Sequence, residues 1–228
     1  MKKELEFRKP TKQDSLFMLK EAGLNPKTIF DIGGGREGTS SLADNFKDSK
    51  HVIFEPKREC GESITAKYAD KVNDFELVFE ALGNSWLNSL DYFVKNKNYD
   101  DPYLIKIDVD GNDYVVLQGC AALLSKTDCV IVESNIFRFF MPEQHAYRNR
   151  DVAGFITLLE DHNFFLFDIT DPLYIDGFLN TVDLIFCNKD SFDIKTIRPD
   201  WNKRGNQKAQ RIFYENNYPS EELIKNVT

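Results

Sequence analysis

A chain of 228 residues is long enough for one sizeable α/β domain with both faces of a central sheet covered. Its formal net charge of −8 speaks against a general nucleic-acid binder, which would carry a basic footprint. No apolar run is long enough to span a bilayer and the start MKKELEFRKP lacks the apolar stretch of a signal peptide, so a soluble, cytoplasmic protein is expected.

The first predicted helix covers residues 14–22 and closes at Gly23. After it, Thr28-Ile-Phe-Asp-Ile-Gly-Gly-Gly-Arg-Glu-Gly38 reads as a buried strand over 28–32, an acidic residue near its end, and a glycine turn opening a helix. Gly33, Gly34 and Gly35 let the backbone bend and approach a ligand closely, with helix amides pointing toward it. Gly33, Gly35 and Gly38 also satisfy G-x-G-x-x-G, and Glu55 lies about twenty residues past the middle glycine, as a dinucleotide fingerprint requires. Asp31 shifts the reading. A carboxylate there would face a pyrophosphate unfavourably but suits an ammonium or a sulfonium, and S-adenosylmethionine carries both. Glu55 ends a second strand over 51–55, where it can accept hydrogen bonds from ribose hydroxyls, a role common to NAD and S-adenosylmethionine enzymes. The plainer alternatives are a helix N-cap for Asp31 and a surface charge for Glu55.

A third strand is expected over 75–81 and a fourth over 103–109. The fourth runs into Asp108 and Asp110, turns at Gly111 and enters a helix capped by Asn112. Asp108 is the first candidate for a general base, with Asp110 beside it; capping the turn at Gly111 is the competing role for both. A fifth strand over 129–133 brings Glu133, followed by Asn135. Asp108, Glu133 and Asn135 are oxygen donors of the kind that hold a hard divalent ion such as magnesium, which would acidify and orient an acceptor hydroxyl. His145, in the polar and aromatic stretch 135–151, is a further candidate base or metal ligand, or simply a surface residue. In the same stretch Phe137, Phe139, Phe140 and Tyr147 offer flat faces to a sugar ring, and Arg138, Arg148 and Arg150 offer charge to a phosphate.

Asp151 is expected to cap a helix in which Val152, Phe155, Ile156 and Leu159 form one buried face. Strands over 165–168 and 181–187 flank a turn-rich stretch containing Asp-Pro and Asp-Gly. Cys60, Cys120, Cys129 and Cys187 are scattered without a C-x-x-C pair, so neither zinc ligation nor disulfides are expected. Beyond Cys187 the apolar periodicity fades. Residues 195–211 carry Lys195, Arg198, Lys203, Arg204, Lys208 and Arg211, readable as a solvated terminal segment or as an attraction for an anionic substrate or another subunit.

Taken in order, FDIGGGREG (30–38), VIFEP (52–56), SLDYF followed by LIKIDVDGNDYVVLQG (89–119), and VIVES (130–134) resemble the FkbM-type S-adenosylmethionine-dependent methyltransferases. The third block carries most weight: the family typically shows K-I-D-V-E-G-x-E-x-x-V-L-x-G, and here Asp110 and Asp113 take the two glutamate positions. The family usually has Ala-Asn after the first glycine where this chain has Gly34-Gly35, so backbone would replace an asparagine contact. The resemblance covers roughly 14–190 and leaves 191–228 as a separate, partly basic extension. It implies a Rossmann-like methyltransferase fold, a seven-stranded, mostly parallel sheet with helices on both faces and one antiparallel strand near the edge. It also implies O-methylation of a sugar hydroxyl on a nucleotide sugar or surface-glycan precursor, with no nucleic acid and no membrane span; an oligomer is compatible with it. An NAD-linked oxidoreductase and a non-catalytic cofactor-binding module remain the alternatives.

Overall fold

The short central strands are buried on both faces, which suits a sheet covered by helices on each side. The structure, a computed structural model, describes residues 10–191 apart from 86, 96 and 137–150, all within the single unit Lys9–Phe192. Its elements in order are α1 (Lys12–Glu21), β1 (Thr28–Ile32), α2 (Ser40–Asn45), β2 (Lys50–Phe54), α3 (Gly61–Tyr68), β3 (Asp74–Val78), α4 (Leu90–Lys95), β4 (Tyr103–Ile107), α5 (Asp113–Gln118), β5 (Thr127–Asn135), α6 (Val152–Asp161), β6 (Phe164–Ile175) and β7 (Phe178–Asn188).

The seven strands form one sheet in the order β3-β2-β1-β4-β5-β7-β6. Strands β1 to β5 pair in parallel and β7 runs antiparallel between β5 and β6, as expected of the methyltransferase sheet. Order reverses at β1, whose neighbours are β2 and β4, so the carboxyl ends of β1 and β4 flank the crevice where α/β sheets bind ligands.

Strand parity sorts the core. Val52 and Phe54 join Phe30, Ile32, Ile105 and Ile107 in the larger apolar cluster with Phe155 and Leu159 of α6. Ile53, pointing the other way, packs with Ala43 of α2 and with Ile64 and Tyr68 of α3. By the same parity Asp31 and Lys106, which are register partners, share the second face. All four cysteines are free and buried.

Several expected boundaries move. The first helix begins earlier, because the Thr11 side chain accepts from the Asp14 amide and caps it at Lys12. The third strand stops at Val78. At α6 the Asp151 side chain accepts from the Gly154 amide, the expected cap. The last two strands are much longer than read. Asp171-Pro172 sits inside β6 at a register shift, and the chain turns only at Asp176-Gly177, both with positive φ. A proline is tolerated there because β6 is the edge strand.

Candidate active site

The glycine turn, the ends of β2 and β4, the loop after β3 and the start of α1 enclose a cavity of about 950 Å³. Gly33, Gly34, Gly35, Glu55, Asp108 and Asp110 all line it. The turn is packed as closely as glycine allows: a Cβ on Gly33 would lie 1.7 Å from the Asp108 carbonyl oxygen, and one on Gly34 would lie 2.6 Å from Ile53 Cγ2. Gly35, at φ +55, has nothing within 4 Å of its Cβ position. It therefore leaves open the space that a close-lying ligand needs.

Glu55 is held at the cavity wall by two backbone donors. Its Oε2 accepts from the Gly35 amide at 2.8 Å and its Oε1 from the Lys57 amide at 2.9 Å. A carboxylate has about four acceptor positions, so lone pairs remain for hydroxyl groups of a ligand.

Asp31 takes a different place from the one expected. It lies beneath the turn with 0% of its side chain exposed. Its oxygens accept from the Thr39 amide at 2.9 Å, the Thr39 hydroxyl at 3.0 Å and the Tyr68 hydroxyl at 3.3 Å, and it pairs with Lys106 Nζ at 3.2 Å. Burial, and then the nearby Asp31 charge, push the Tyr68 phenol upward, keeping it a donor. Asp31 thus fastens the far end of the glycine loop from below, and no free face of it meets the cavity.

Lys106, to which the sequence assigned no role, lies among these groups. Its side chain is 3% exposed, and its Nζ donates to the Gly33 carbonyl at 2.9 Å while pairing with Asp31 and, at 3.4 Å, with Asp108. Burial works to lower its pKa, but the two carboxylates win and hold it above the usual lysine range. The signal was a lysine inside the apolar run Tyr103–Ile107. A buried lysine needs a partner, and Asp31 and Asp108 were the carboxylates available.

Asp108 projects from the end of β4 with 35% of its side chain exposed. Asp110 is exposed on the turn at φ +52. The turn is capped by Asp113, which accepts from the Val109 amide at 2.9 Å and the Gly111 amide at 3.1 Å. Asn112 occupies the cap position but makes no side-chain cap bond, so the bracing at this turn comes from Asp113. Burial raises the Asp113 carboxyl, with Asp108 adding to it.

Glu133 is half-buried on β5, opposite Asp183 of β7. Burial and then the charges of Asp108, Asp113 and Asp183 push it up to about 7, against a hydrogen bond from Thr181. Lys12 meets Asp183 at 2.5 Å. Among the described residues no group of three or more His, Cys, Asp or Glu could hold an ion; the expected set of Asp108, Glu133 and Asn135 has only two carboxylates and is not a group of that kind. Lys106 pairs with Asp108 and Lys12 with Asp183. His145, the aromatic and arginine residues of 137–150, and the basic stretch 195–211 lie outside the described residues.

With this geometry in place, the comparisons add the family. Residues 87–166, which contain β4, the Asp108 turn and β5, match the methyltransferase FkbM domain. The match agrees with the resemblance read from the blocks at 89–119 and 130–134. No curated protein matches the chain. Solved structures similar to it include an rRNA methylase from Streptococcus thermophilus, 15% identical, covering 77% of this chain and 93% of that one at a TM-score of 0.48. Another is an S-adenosylmethionine-dependent methyltransferase from Clostridium acetobutylicum, 11% identical, covering 78% and 91% at 0.49. A third is magnesium protoporphyrin IX methyltransferase from Synechocystis with bound S-adenosylmethionine, 12% identical, covering 78% and 79% at 0.47.

Proposed function

We propose that this FkbM-type enzyme methylates a sugar hydroxyl, on a nucleotide sugar or a surface-glycan precursor, with S-adenosylmethionine held against the glycine turn and Glu55. The observation that carries the reading is Asp108: a partly exposed carboxylate at the end of β4, lining the cavity and set against the turn. When bound, S-adenosylmethionine supplies a methyl group on a positively charged sulfur. The Gly35 gap and Glu55 fit the group, the first as room for close approach and the second as acceptor for ribose hydroxyls.

Asp108 accepts the proton that the acceptor hydroxyl must lose as its oxygen attacks, so that the ether forms while the carboxylate becomes a carboxylic acid. Thr11, Lys12, Gln13 and Asn112 line the same cavity and offer the polar contacts a polyhydroxylated acceptor requires. Holding nucleophile and methyl in line supplies much of the acceleration in such a displacement. Asp110, on the adjoining turn, acts on the acceptor side. Residues 1–190 form the catalytic domain and 191–228 the extension, in a cytoplasmic enzyme.

Isotopic methyl transfer from S-adenosylmethionine to a panel of nucleotide sugars, with and without chelator, tests this. Label should appear on a sugar oxygen. Transfer to RNA, a phenol or a carboxylic acid, with none to any sugar, would overturn the acceptor assignment. Loss of transfer on chelation and its recovery with magnesium would add a divalent ion to the site, with Asp108, Glu133 and Asn135 as ligands.

A further inference from the structure

Three charged side chains beneath the glycine turn form a unit whose arrangement follows from strand register. Asp31 and Lys106 are register partners on β1 and β4, and Asp108 lies two residues past Lys106, on the same side of the chain. An ammonium has three protons to give. Lys106 has three oxygen partners within reach: the Gly33 carbonyl, Asp31 and Asp108. With 3% of the side chain exposed and these three oxygens around it, its contribution comes through the groups it holds.

We propose that Lys106 is a positioning residue tying the cofactor turn to the acceptor-side carboxylate, and that the unit it forms selects a cationic cofactor over its neutral product. The inference rests on the S-adenosylmethionine reading above. Two carboxylates and one ammonium leave a single net negative charge. Asp31 is enclosed by Thr39 and Tyr68, so the exposed end of that charge is Asp108. A sulfonium matches it with one positive charge. After methyl transfer the sulfur is neutral and Asp108 holds the acceptor's proton, so the two charges vanish together and the attraction that held the cofactor is gone.

The test needs no acceptor. Calorimetric titration of the full chain with S-adenosylmethionine, with sinefungin, which carries an amine in place of the sulfonium, and with S-adenosylhomocysteine gives three dissociation constants. The wild type should bind both cationic ligands more tightly than the neutral one, by about tenfold. Asp108→Asn should bring that ratio close to one. Lys106→Met should weaken all three ligands together, by about tenfold or more, because the turn loosens, while the ratio stays at or rises above its wild-type value, because Asp108 keeps its charge and loses a compensating cation. If Lys106→Met does not fold, Asp31→Asn combined with Lys106→Met removes the buried charge left behind and takes its place. Wild-type constants in a folded Lys106 variant, or an unchanged ratio in Asp108→Asn, would overturn the inference while leaving the cofactor reading intact. A wild type that binds none of the three would overturn that reading itself.

Discussion

At the scale of single residues, the same chemical type does different work according to depth. Glu55 stands at the cavity wall with acceptor positions to spare, so Glu55→Ala should fold normally and weaken S-adenosylmethionine by ~1.5–3 kcal/mol, measured by calorimetry. Asp31 is enclosed, and Asp31→Ala leaves Lys106 with only Asp108 to compensate its charge. That substitution should cost about 3 kcal/mol of stability in denaturant unfolding, with cofactor affinity falling as a secondary effect of a looser turn. An unfolding midpoint unchanged from wild type would show that the buried pair does not hold the loop. Asp108→Asn should keep the fold and lose most turnover, since an amide cannot take the acceptor's proton. The carboxylates were legible in the sequence because each lies at or near the end of an apolar run, Asp31 and Asp108 just before a glycine turn. What Asp31 faces was not, since that depends on β1 and β4 being paired with Asp31 opposite Lys106, and nothing local to either strand states the pairing.

Among the elements, the glycine turn separates two uses of glycine. Gly33 is pressed against the β4 backbone at φ +88, whereas Gly35 at φ +55 faces open cavity. Gly33→Ala should therefore destabilise the protein severely, because overpacking and backbone strain each cost about 1–3 kcal/mol. Gly35→Ala should cost only about 1–2 kcal/mol for its left-handed backbone, yet impair cofactor binding by intruding on the space. Thermal melts with and without S-adenosylmethionine check both. Equal effects of the two substitutions would contradict the assignment of Gly35 to ligand approach. This turn could be read from its spacing, as could the Asp151 cap of α6. The hairpin of β6 and β7 could be read as well, but not its length. Asp171-Pro172 carries the composition of a turn, and only its position on the outermost strand lets it lie within a longer one. Asn112 holds the expected cap position without a side-chain bond, and the bracing of its turn by Asp113 was not legible in the sequence.

For the whole molecule, the sheet gathers acidic groups at one end, and stability should depend on pH accordingly. Glu133 is raised from 4.5 to about 7 in the fold, so its stabilising effect is complete below about 4.5 and is lost as pH rises through about 7. Asp113 and Asp183, also raised, act in the same direction. Denaturant midpoints should fall across that window, and Glu133→Gln should flatten the fall. An identical pH profile in the variant would mean that Glu133 titrates normally.

A seven-stranded, mostly parallel sheet with one antiparallel strand was expected from the alternation of strands and helices together with the family resemblance, while the strand order and the register that makes a three-member charge unit emerged only in three dimensions. The central claim is that this crevice holds S-adenosylmethionine. Titrating the purified chain with S-adenosylmethionine, S-adenosylhomocysteine and NAD tests it most directly. The account predicts saturable one-to-one binding of the first two, lost in part with Glu55→Ala, and no heat from NAD; binding of NAD without either methionine-derived ligand would contradict it.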